Sequence, residues 1–152
     1  MLMPVAVALG SNLGARSRSL DLAVGRLREG LTDVLVSSYY DTAPVGVGPQ
    51  SRFLNAAVVG MTDRSARGML QWLLAIETDL GRERLAPGIP RTVDLDLIFY
   101  GEKVAAEPDL AIPHPRFRER AFVLEPLNEI AQEWRDPVSG LTVAELLARL
   151  WG

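Results

Sequence analysis

Two carboxylates placed two residues apart, Asp94 and Asp96, are the residues whose types and spacing most clearly indicate chemistry. They lie in the apolar stretch 93–100, which has the pattern of a buried β-strand. Side chains alternate across a strand, so both acids point to one face. The other face is predicted to enter a core through Val93, Leu95, Leu97 and Phe99. Because two adjacent like charges repel, the pattern predicts a site for a divalent cation such as Mg²⁺, although a solvated face of an edge strand would also account for it.

Arginines precede this stretch, with Arg91 directly before the strand and Arg82 and Arg84 a few residues earlier. The chain has sixteen basic residues, of which only Lys103 is a lysine, and it contains no Gly-x-x-x-x-Gly-Lys-Ser/Thr segment. Phosphate binding would therefore fall to the planar fork of arginine. Acids beside arginines suit transfer of a phosphoryl group from a metal–nucleotide complex. The alternatives are a general arginine bias and a solvated basic loop.

The composition bounds the class of protein. A chain of 152 residues, 48% hydrophobic and 23% charged, is expected to form one globular domain, residues 1–152. The net charge of −3 argues against a nucleic-acid binder that relies on bulk charge. The chain contains no cysteine, which excludes disulfides and thiolate sites. It has no apolar run of about 20 residues and no basic leader, so we expect a cytoplasmic protein that does not enter membranes.

Hydrophobic spacing predicts the element order β-α-β-β-α-β, then short irregular segments and a final helix. The predicted strands are Val5–Leu9, Val34–Thr42, Phe53–Met61 and Val93–Tyr100, and the helices are Ser17–Leu31 and one capped by Ser65 that runs to about Leu80. This order is typical of a ferredoxin-like α+β fold, an antiparallel sheet with helices on one face plus a C-terminal extension. The other face should remain for loops or a site. Thr142 and Glu145 form a capping box for the final helix.

Several segments, spread in order over nearly the whole chain, together resemble a known family. They are Ala8-Leu9-Gly10-Ser11-Asn12, Ser37-Ser38-Tyr39-Tyr40, Phe53-Leu54-Asn55, Pro90-Arg91-Thr92-Val93-Asp94-Leu95-Asp96, Pro113-His114-Pro115 and Arg120-Ala121-Phe122. The combination resembles 6-hydroxymethyl-7,8-dihydropterin pyrophosphokinase of folate biosynthesis. This family transfers the terminal pyrophosphate of ATP to the hydroxymethyl group of a reduced pterin and releases AMP. The resemblance implies the same reaction here.

The resemblance assigns roles at the nucleotide end of the site. Asp94 and Asp96 would hold two Mg²⁺ ions that bridge the triphosphate of ATP, and Arg82 and Arg91 would be catalytic with them. His114, the single histidine, would be a phosphate ligand and not a general base, although a lone histidine is more often structural. The nucleotide-binding residues that the resemblance implies are Glu77, Arg82, Arg84, Arg91, Ile98, His114 and Arg120.

The resemblance also implies a pterin site, in which two aromatic rings sandwich a flat heterocycle and an amide reads its edge. Its residues would be Thr42, Ala43, Pro44, Val45, Phe53, Asn55 and Phe122. For either phenylalanine alone, simple core packing is the competing interpretation. The chain departs from the family in several places. Gly88-Ile89-Pro90 stands where many members have Trp-Gly-Pro, in a loop one residue shorter, and Phe53 replaces what is often tyrosine. Asp109 and Ala111 stand where some members have arginine and threonine.

A competing function is a non-catalytic regulatory module of ferredoxin-like fold that binds a small ligand. Asp94 and Asp96 discriminate between the two, because a ligand sensor does not need a dinuclear metal site. For the enzyme we expect only small-molecule partners, ATP and the reduced pterin, with no nucleic acid and no membrane, and we expect a monomer.

Overall fold

The computed structural model describes residues 1–11, 16–42, 53–82 and 93–151, without the side chains of Arg16, Thr42 and Arg82. Within these ranges the elements are β1 (Met3–Ser11), α1 (Arg16–Gly30), β2 (Thr32–Val36), β3 (Tyr40–Thr42), β4 (Phe53–Thr62), α2 (Ala66–Arg82), β5 (Asp94–Tyr100), β6 (Ala105–Glu107), β7 (Leu110–Ile112), a 3₁₀ turn (Phe117–Glu119), α3 (Ala121–Ala131) and α4 (Val143–Trp151). The glycine and proline content of segments 42–50 and 81–90 predicts two long loops, and most of both segments lies outside these residues.

The main sheet is antiparallel throughout, with the strand order β2-β4-β1-β5 and β3 paired to the end of β4. Strands β6 and β7 form a separate hairpin. The central strand β1 pairs along most of its length with both β4 and β5. The predicted α+β class with an antiparallel sheet is confirmed.

Helices α1 and α2 cover one face of the sheet, as the sequence predicted. Their apolar stripes are buried against alternate residues of the strands, such as Val7 and Val58. The stripe residues are Leu20, Val24 and Leu27 on α1 and Met69, Leu73, Ile76 and Leu80 on α2. The hydroxyl of Ser65 accepts a hydrogen bond from the Gly68 N–H at 3.0 Å. Ser65 is therefore the N-cap that the sequence indicated.

The predicted strand Val34–Thr42 is wrong as one continuous element, because it divides into β2 and β3. Between them, Ser37 takes up the pairing with β4: its N–H donates to the Ala57 carbonyl at 2.9 Å, and its hydroxyl accepts from the Ala57 N–H at 2.8 Å. The same hydroxyl donates to the Ser38 carbonyl at 2.7 Å. A side chain that bonds the backbone in this way offers an alternative to the regular ladder, and the strand breaks there.

The second face of the sheet is not left to loops. Helices α3 and α4 and the 3₁₀ turn pack on it and form a second core, whose residues include Ala6, Ala57, Phe117, Leu124, Leu127 and Leu146. Helix α3 is not among the elements that hydrophobic spacing predicts, and it carries Pro126 in its interior. Proline removes one helical hydrogen bond, so it argues against a helix unless tertiary packing compensates. Here the packing of Leu124 and Leu127, both almost fully buried, supplies that compensation.

The predicted face of Phe99 is also wrong. Ala6 pairs with Phe99 and Val7 with Leu97, so Ile98 is an extra residue inserted between two paired positions. Such a β-bulge reverses the alternation beyond it. Leu97 therefore packs in the first core, whereas Ile98 and Phe99 both enter the second. The bulge lies after Asp94 and Asp96, so the two acids keep their common face.

Asp136 fixes the segment between α3 and α4. Its side chain is fully buried (0% exposed) and accepts hydrogen bonds from the guanidinium of Arg118 at 2.5 and 2.7 Å, from the Ser139 hydroxyl at 2.6 Å and from the Val138 N–H at 3.1 Å. Burial alone would raise the pKa of Asp136, but these bonds outweigh it and lower the pKa to about 2. The capping box is confirmed, since Thr142 and Glu145 exchange hydrogen bonds of 2.9 and 3.1 Å.

Asp136→Asn should lower the free energy of unfolding by about 3 kcal/mol, because it leaves the Arg118 charge without its buried partner. The folded-state pKa lies below the ordinary value of 3.8, so the stabilisation is complete above about pH 4 and is lost as the pH falls towards 2. Urea unfolding of wild type and Asp136→Asn should therefore show a difference in the free energy of unfolding that becomes smaller at acid pH.

Asp109→Asn is the matched control. Asp109 also bonds an arginine, Arg67, at 2.7 Å, but both side chains are exposed. Solvent screens such a pair, so stability should hardly change. Equal effects of the two variants would contradict the role given to Asp136.

Candidate active site

One cross-strand row of residues brings together positions that the sequence assigned to two different substrates. Gly10 in the central strand pairs with Asn55 of β4 on one side and with Asp94 of β5 on the other. On the far side of β4, Asn55 also pairs with Tyr40 of β3. Directly paired residues in an antiparallel sheet point to the same face. We call Tyr40, Asn55, Gly10 and Asp94 the Gly10 row; it lies on the face that carries α3.

Gly10 leaves room for the amide of Asn55. A Cβ at this position would lie 3.1 Å from Asn55 Oδ1, tighter than ordinary van der Waals contact. Asn55 itself is buried, with 5% of its surface exposed. The row therefore holds a buried amide beside a strand position that has no side chain, which is a suitable floor for a flat polar ligand.

Of the predicted pterin residues that the structure describes, Thr42 and Phe53 lie next to Asn55 in the β3–β4 pairing, and Phe122 lies on α3. Phe53, the first residue of β4, lies two residues before Asn55 on the same face of the sheet and pairs with Thr42. Phe53 is half-buried. Phe122, near the start of α3, is 42% exposed, so core packing does not explain its aromatic ring. The Arg120 guanidinium lies 5.6 Å from the centre of that ring.

Asp94 and Asp96 share the α3 face, as predicted, since Asp94 pairs with Gly10 and Asp96 with Ala8. Burial, and then the nearby charge of Asp96, raise the pKa of Asp94. The described residues contain no group of three or more histidine, cysteine or acidic side chains placed to hold a metal ion. Two carboxylates with open positions fit Mg²⁺, which usually takes one or two protein carboxylates and completes its shell with water and substrate phosphates.

Glu77 holds the strand that bears these acids. The Leu95 N–H of β5 donates to Glu77 Oε2 at 2.6 Å. Burial raises the pKa of Glu77, the Leu95 bond opposes that shift, and the charges of Asp94 and Asp96 add to it. The sequence placed Glu77 in the nucleotide pocket; the structure brings it beside the two acids and gives it a hydrogen bond to their strand.

His114 lies beside the same strand. The backbone N–H of His114 donates to the Ile98 carbonyl at 3.3 Å. Burial lowers the pKa of the imidazole, the charge of Asp96 opposes this shift, and the charges of Arg120 and Arg116 add to it. A neutral imidazole can donate one hydrogen bond to a phosphate. The side chain of Ile98 is 1% exposed, so its nucleotide role stays a prediction, and its visible contact is the carbonyl that positions His114.

Several predicted residues lie outside the described part of the chain. They are Ala43, Pro44, Val45, Arg84, Arg91 and the segment Gly88–Pro90, together with the side chains of Thr42 and Arg82. The backbone of Arg82 is described and ends α2. Their roles stay predictions. Asp109, one of the departures from the family pattern, bonds Arg67, which also bonds Glu107 at 2.7 Å.

Sequence reasoning missed Glu129, which joins α3 to Ser38, just before β3, and to Tyr40, the first residue of β3. The residue accepts hydrogen bonds from Ser38 and Tyr40, ninety-one and eighty-nine positions earlier in the chain. Its only signal in the sequence is an acid within the apolar segment 121–131. Without knowledge that α3 exists and packs on the sheet, that acid has no visible partner.

Comparison with known proteins agrees with this geometry. A model of the family described as 7,8-dihydro-6-hydroxymethylpterin-pyrophosphokinase matches residues 6–132. Two proteins named 2-amino-4-hydroxy-6-hydroxymethyldihydropteridine pyrophosphokinase are among the most similar relatives. That of Synechocystis sp. is 42% identical over 95% of this chain and 74% of its own length. That of Bacillus subtilis is 39% identical over 95% of this chain and 88% of its own length.

The fold is shared with solved structures. The wild-type HPPK-DHPS of Plasmodium falciparum matches with a TM-score of 0.76 and 15% identity over 98% of this chain. This chain spans less than half of that one (45%), so the likeness concerns the fold of the matched part alone. The family match and the relatives together decide the assignment: this chain belongs to the 7,8-dihydro-6-hydroxymethylpterin-pyrophosphokinase family.

Proposed function

We propose that this pyrophosphokinase transfers the terminal pyrophosphate of ATP to 6-hydroxymethyl-7,8-dihydropterin on the α3 face of its sheet, at the Gly10 row. The observation that carries the site is the pairing of Gly10 with both Asn55 and Asp94, which sets a pterin-reading amide and a metal-binding acid on neighbouring strands. Strands in a sheet are about 4.8 Å apart, so the two side chains begin roughly 10 Å from each other. That span suits two substrates that meet between them.

The reaction is a displacement at the β-phosphorus of ATP. The hydroxymethyl oxygen of the pterin forms a bond to that phosphorus and releases its proton to solvent, and the bond from the β-phosphorus to the α–β bridging oxygen breaks. The products are AMP and the pterin diphosphate. No covalent enzyme intermediate is needed, so the protein contributes by positioning the substrates and neutralising charge.

Enzymes of this family use ATP and Mg²⁺, and Asp94 and Asp96 would hold two such ions here. Bound Mg²⁺ would neutralise the charge that develops on the phosphates. Glu77 keeps the two acids in place through the Leu95 N–H. His114 donates to a nucleotide phosphate, and Arg120, whose charge acts on His114, binds phosphate beside it. Arg82 and Arg91 complete the catalytic set, with Arg84 assisting.

The pterin is recognised by Asn55 and by the rings of Phe53 and Phe122. The buried amide of Asn55 offers both a donor and an acceptor to the edge of the heterocycle. The exposed ring of Phe122 supplies a stacking surface, and Phe53 supplies the opposite one. Thr42 and the backbone of residues 43–45 complete the set. A buried polar group that requires a matching partner rejects analogues that lack it.

We further propose that residues 1–152 form a single pyrophosphokinase domain that acts as a monomer in the cytoplasm. None of the described helices combines the length and the apolar character needed to cross a lipid bilayer. The partners are then the two small-molecule substrates. Membership of the family favours the enzyme over a non-catalytic ligand-binding module. Light scattering of the purified chain tests the monomer directly.

Asp96→Asn should lower kcat by at least about 100-fold, because the amide keeps the shape of the side chain but removes a charge that binds magnesium. The measurement is AMP formed from ATP on addition of the hydroxymethyl pterin and Mg²⁺. The control is Asp63→Asn. Asp63 is exposed and follows the last residue of β4, whereas Asn55 lies near the start of that strand, so this variant should leave the rate unchanged. Full turnover by Asp96→Asn would refute the metal site.

Asn55→Ala should lower kcat/KM for the pterin by roughly 10- to 100-fold, because the pterin edge loses its buried partner. The KM for ATP should remain near the wild-type value. Gly10→Ala is an independent test, since the added methyl group crowds the Asn55 amide, and its effect should have the same direction and be smaller. Steady-state kinetics with each substrate varied separates the two sites. An unchanged pterin kcat/KM in both variants would contradict the assignment.

A further inference from the structure

We propose that Glu129 is a positioning residue of the pterin site, which sets the distance between the helix that carries Phe122 and the strands that carry Asn55 and Phe53. This inference rests on the proposed function. It concerns a residue that touches neither substrate and acts through its contacts with Ser38 and Tyr40. We call Glu129, Ser38 and Tyr40 the Glu129 clasp.

The clasp is a dense set of hydrogen bonds to one carboxylate. The Ser38 N–H lies 3.0 and 3.1 Å from the two oxygens of Glu129. The Ser38 hydroxyl donates to Oε2 at 3.1 Å, and the Tyr40 hydroxyl donates to Oε1 at 2.8 Å. The Tyr40 bond, followed by those from Ser38, lowers the pKa of Glu129, so the residue stays ionised at neutral pH. Hydrogen bonds to an ionised acceptor are stronger than those between neutral groups.

Each end of the clasp is attached to one wall of the pterin site. Tyr40 pairs directly with Asn55, and two residues later Thr42 pairs with Phe53. On the other side, Glu129 follows Phe122 by seven residues on α3, which is about two helical turns or 10.5 Å. Residues seven apart lie on the same face of a helix. The carboxylate therefore fixes the face of α3 that presents Phe122 relative to the strand opposite.

A sandwich between two rings makes this distance important. One predicted ring is on a strand, and the other is on a helix whose contacts with the described strands are apolar packing and side-chain hydrogen bonds. Apolar packing of Leu124 and Leu127 holds α3 against the sheet but is not directional. Hydrogen bonds have defined lengths and angles, so the clasp restricts the sliding of α3 that packing permits. Loosening it should weaken pterin binding more than ATP binding.

The neighbouring tyrosine provides a matched control. The Tyr39 hydroxyl also donates to a carboxylate, that of Asp21 on α1, at 2.6 Å. Tyr39 packs against the first core, on the opposite side of the sheet from α3. The variants Tyr39→Phe and Tyr40→Phe therefore remove the same atom from adjacent residues. They differ in which helix is released.

The experiment compares wild-type, Tyr40→Phe, Tyr39→Phe, Glu129→Gln and Glu129→Ala in steady-state kinetics and thermal denaturation. Because Glu129 is exposed and solvent weakens its hydrogen bonds, Tyr40→Phe should raise the KM for the pterin by roughly three- to tenfold, with the KM for ATP unchanged. Tyr39→Phe should lower Tm by about as much as Tyr40→Phe does. Unlike Tyr40→Phe, it should leave the KM values for both the pterin and ATP as in wild type. Glu129→Gln retains one acceptor oxygen, so its KM for the pterin should lie between those of wild type and Glu129→Ala.

Each outcome decides the inference. An unchanged KM for the pterin in Tyr40→Phe overturns it. So does a result in which Tyr39→Phe and Tyr40→Phe raise the KM values for the pterin and for ATP alike, because that would indicate a merely structural role. If Glu129→Ala does not fold, the tyrosine pair still decides. Wild-type protein that forms no AMP would refute the proposed function and this inference with it. Active wild type with an insensitive Tyr40→Phe would refute the inference alone.

Discussion

The antiparallel pairing of β1 with both neighbours at Gly10 is the constraint on which the candidate site depends. Backbone hydrogen bonds fix the register of the three strands, and register decides which side chains share a face. A shift of one residue on β5 would turn Asp94 and Asp96 towards α2. The apolar residues that alternate with them, Leu95 and Leu97, prevent that shift because they would leave the first core. The core therefore holds the polar site in place.

The sheet is covered on both faces, and this arrangement leaves the site at one end of the α3 face. The small residues of that face, Ala6, Ala8 and Ala57, allow α3 and its neighbours to pack closely on the centre of the sheet. Beyond them the row of Gly10 begins, where the strands carry polar groups. The first core determines which face is polar, and the second core determines how much of that face remains for ligands.

Electrostatics distinguishes this end of the sheet from an ordinary surface. Three acids converge on β5, and burial with their mutual repulsion raises the pKa of Glu77 and of Asp94. Such a cluster is costly in the absence of cations. His114, on the segment before α3, and Arg120, at the start of α3, face the same region. In the proposed function, a triphosphate with bound magnesium would bring both the positive and the negative charge that suit this arrangement.

Much of the fold followed from local patterns, since the stripes of α1 and α2, the Ser65 cap and the Thr142 capping box depend on neighbours close in the chain. The sequence by itself also determined that Asp94 and Asp96 share a face, because strand alternation requires it. Only the tertiary structure decided the bulge that turns Phe99 into the second core, the helix α3 around Pro126, and the contact of Glu129 with a strand some ninety residues earlier. The physical reason is that these features are stabilised by residues distant in sequence. No local pattern records which distant surface will be present to bury an apolar side chain or to satisfy a charge.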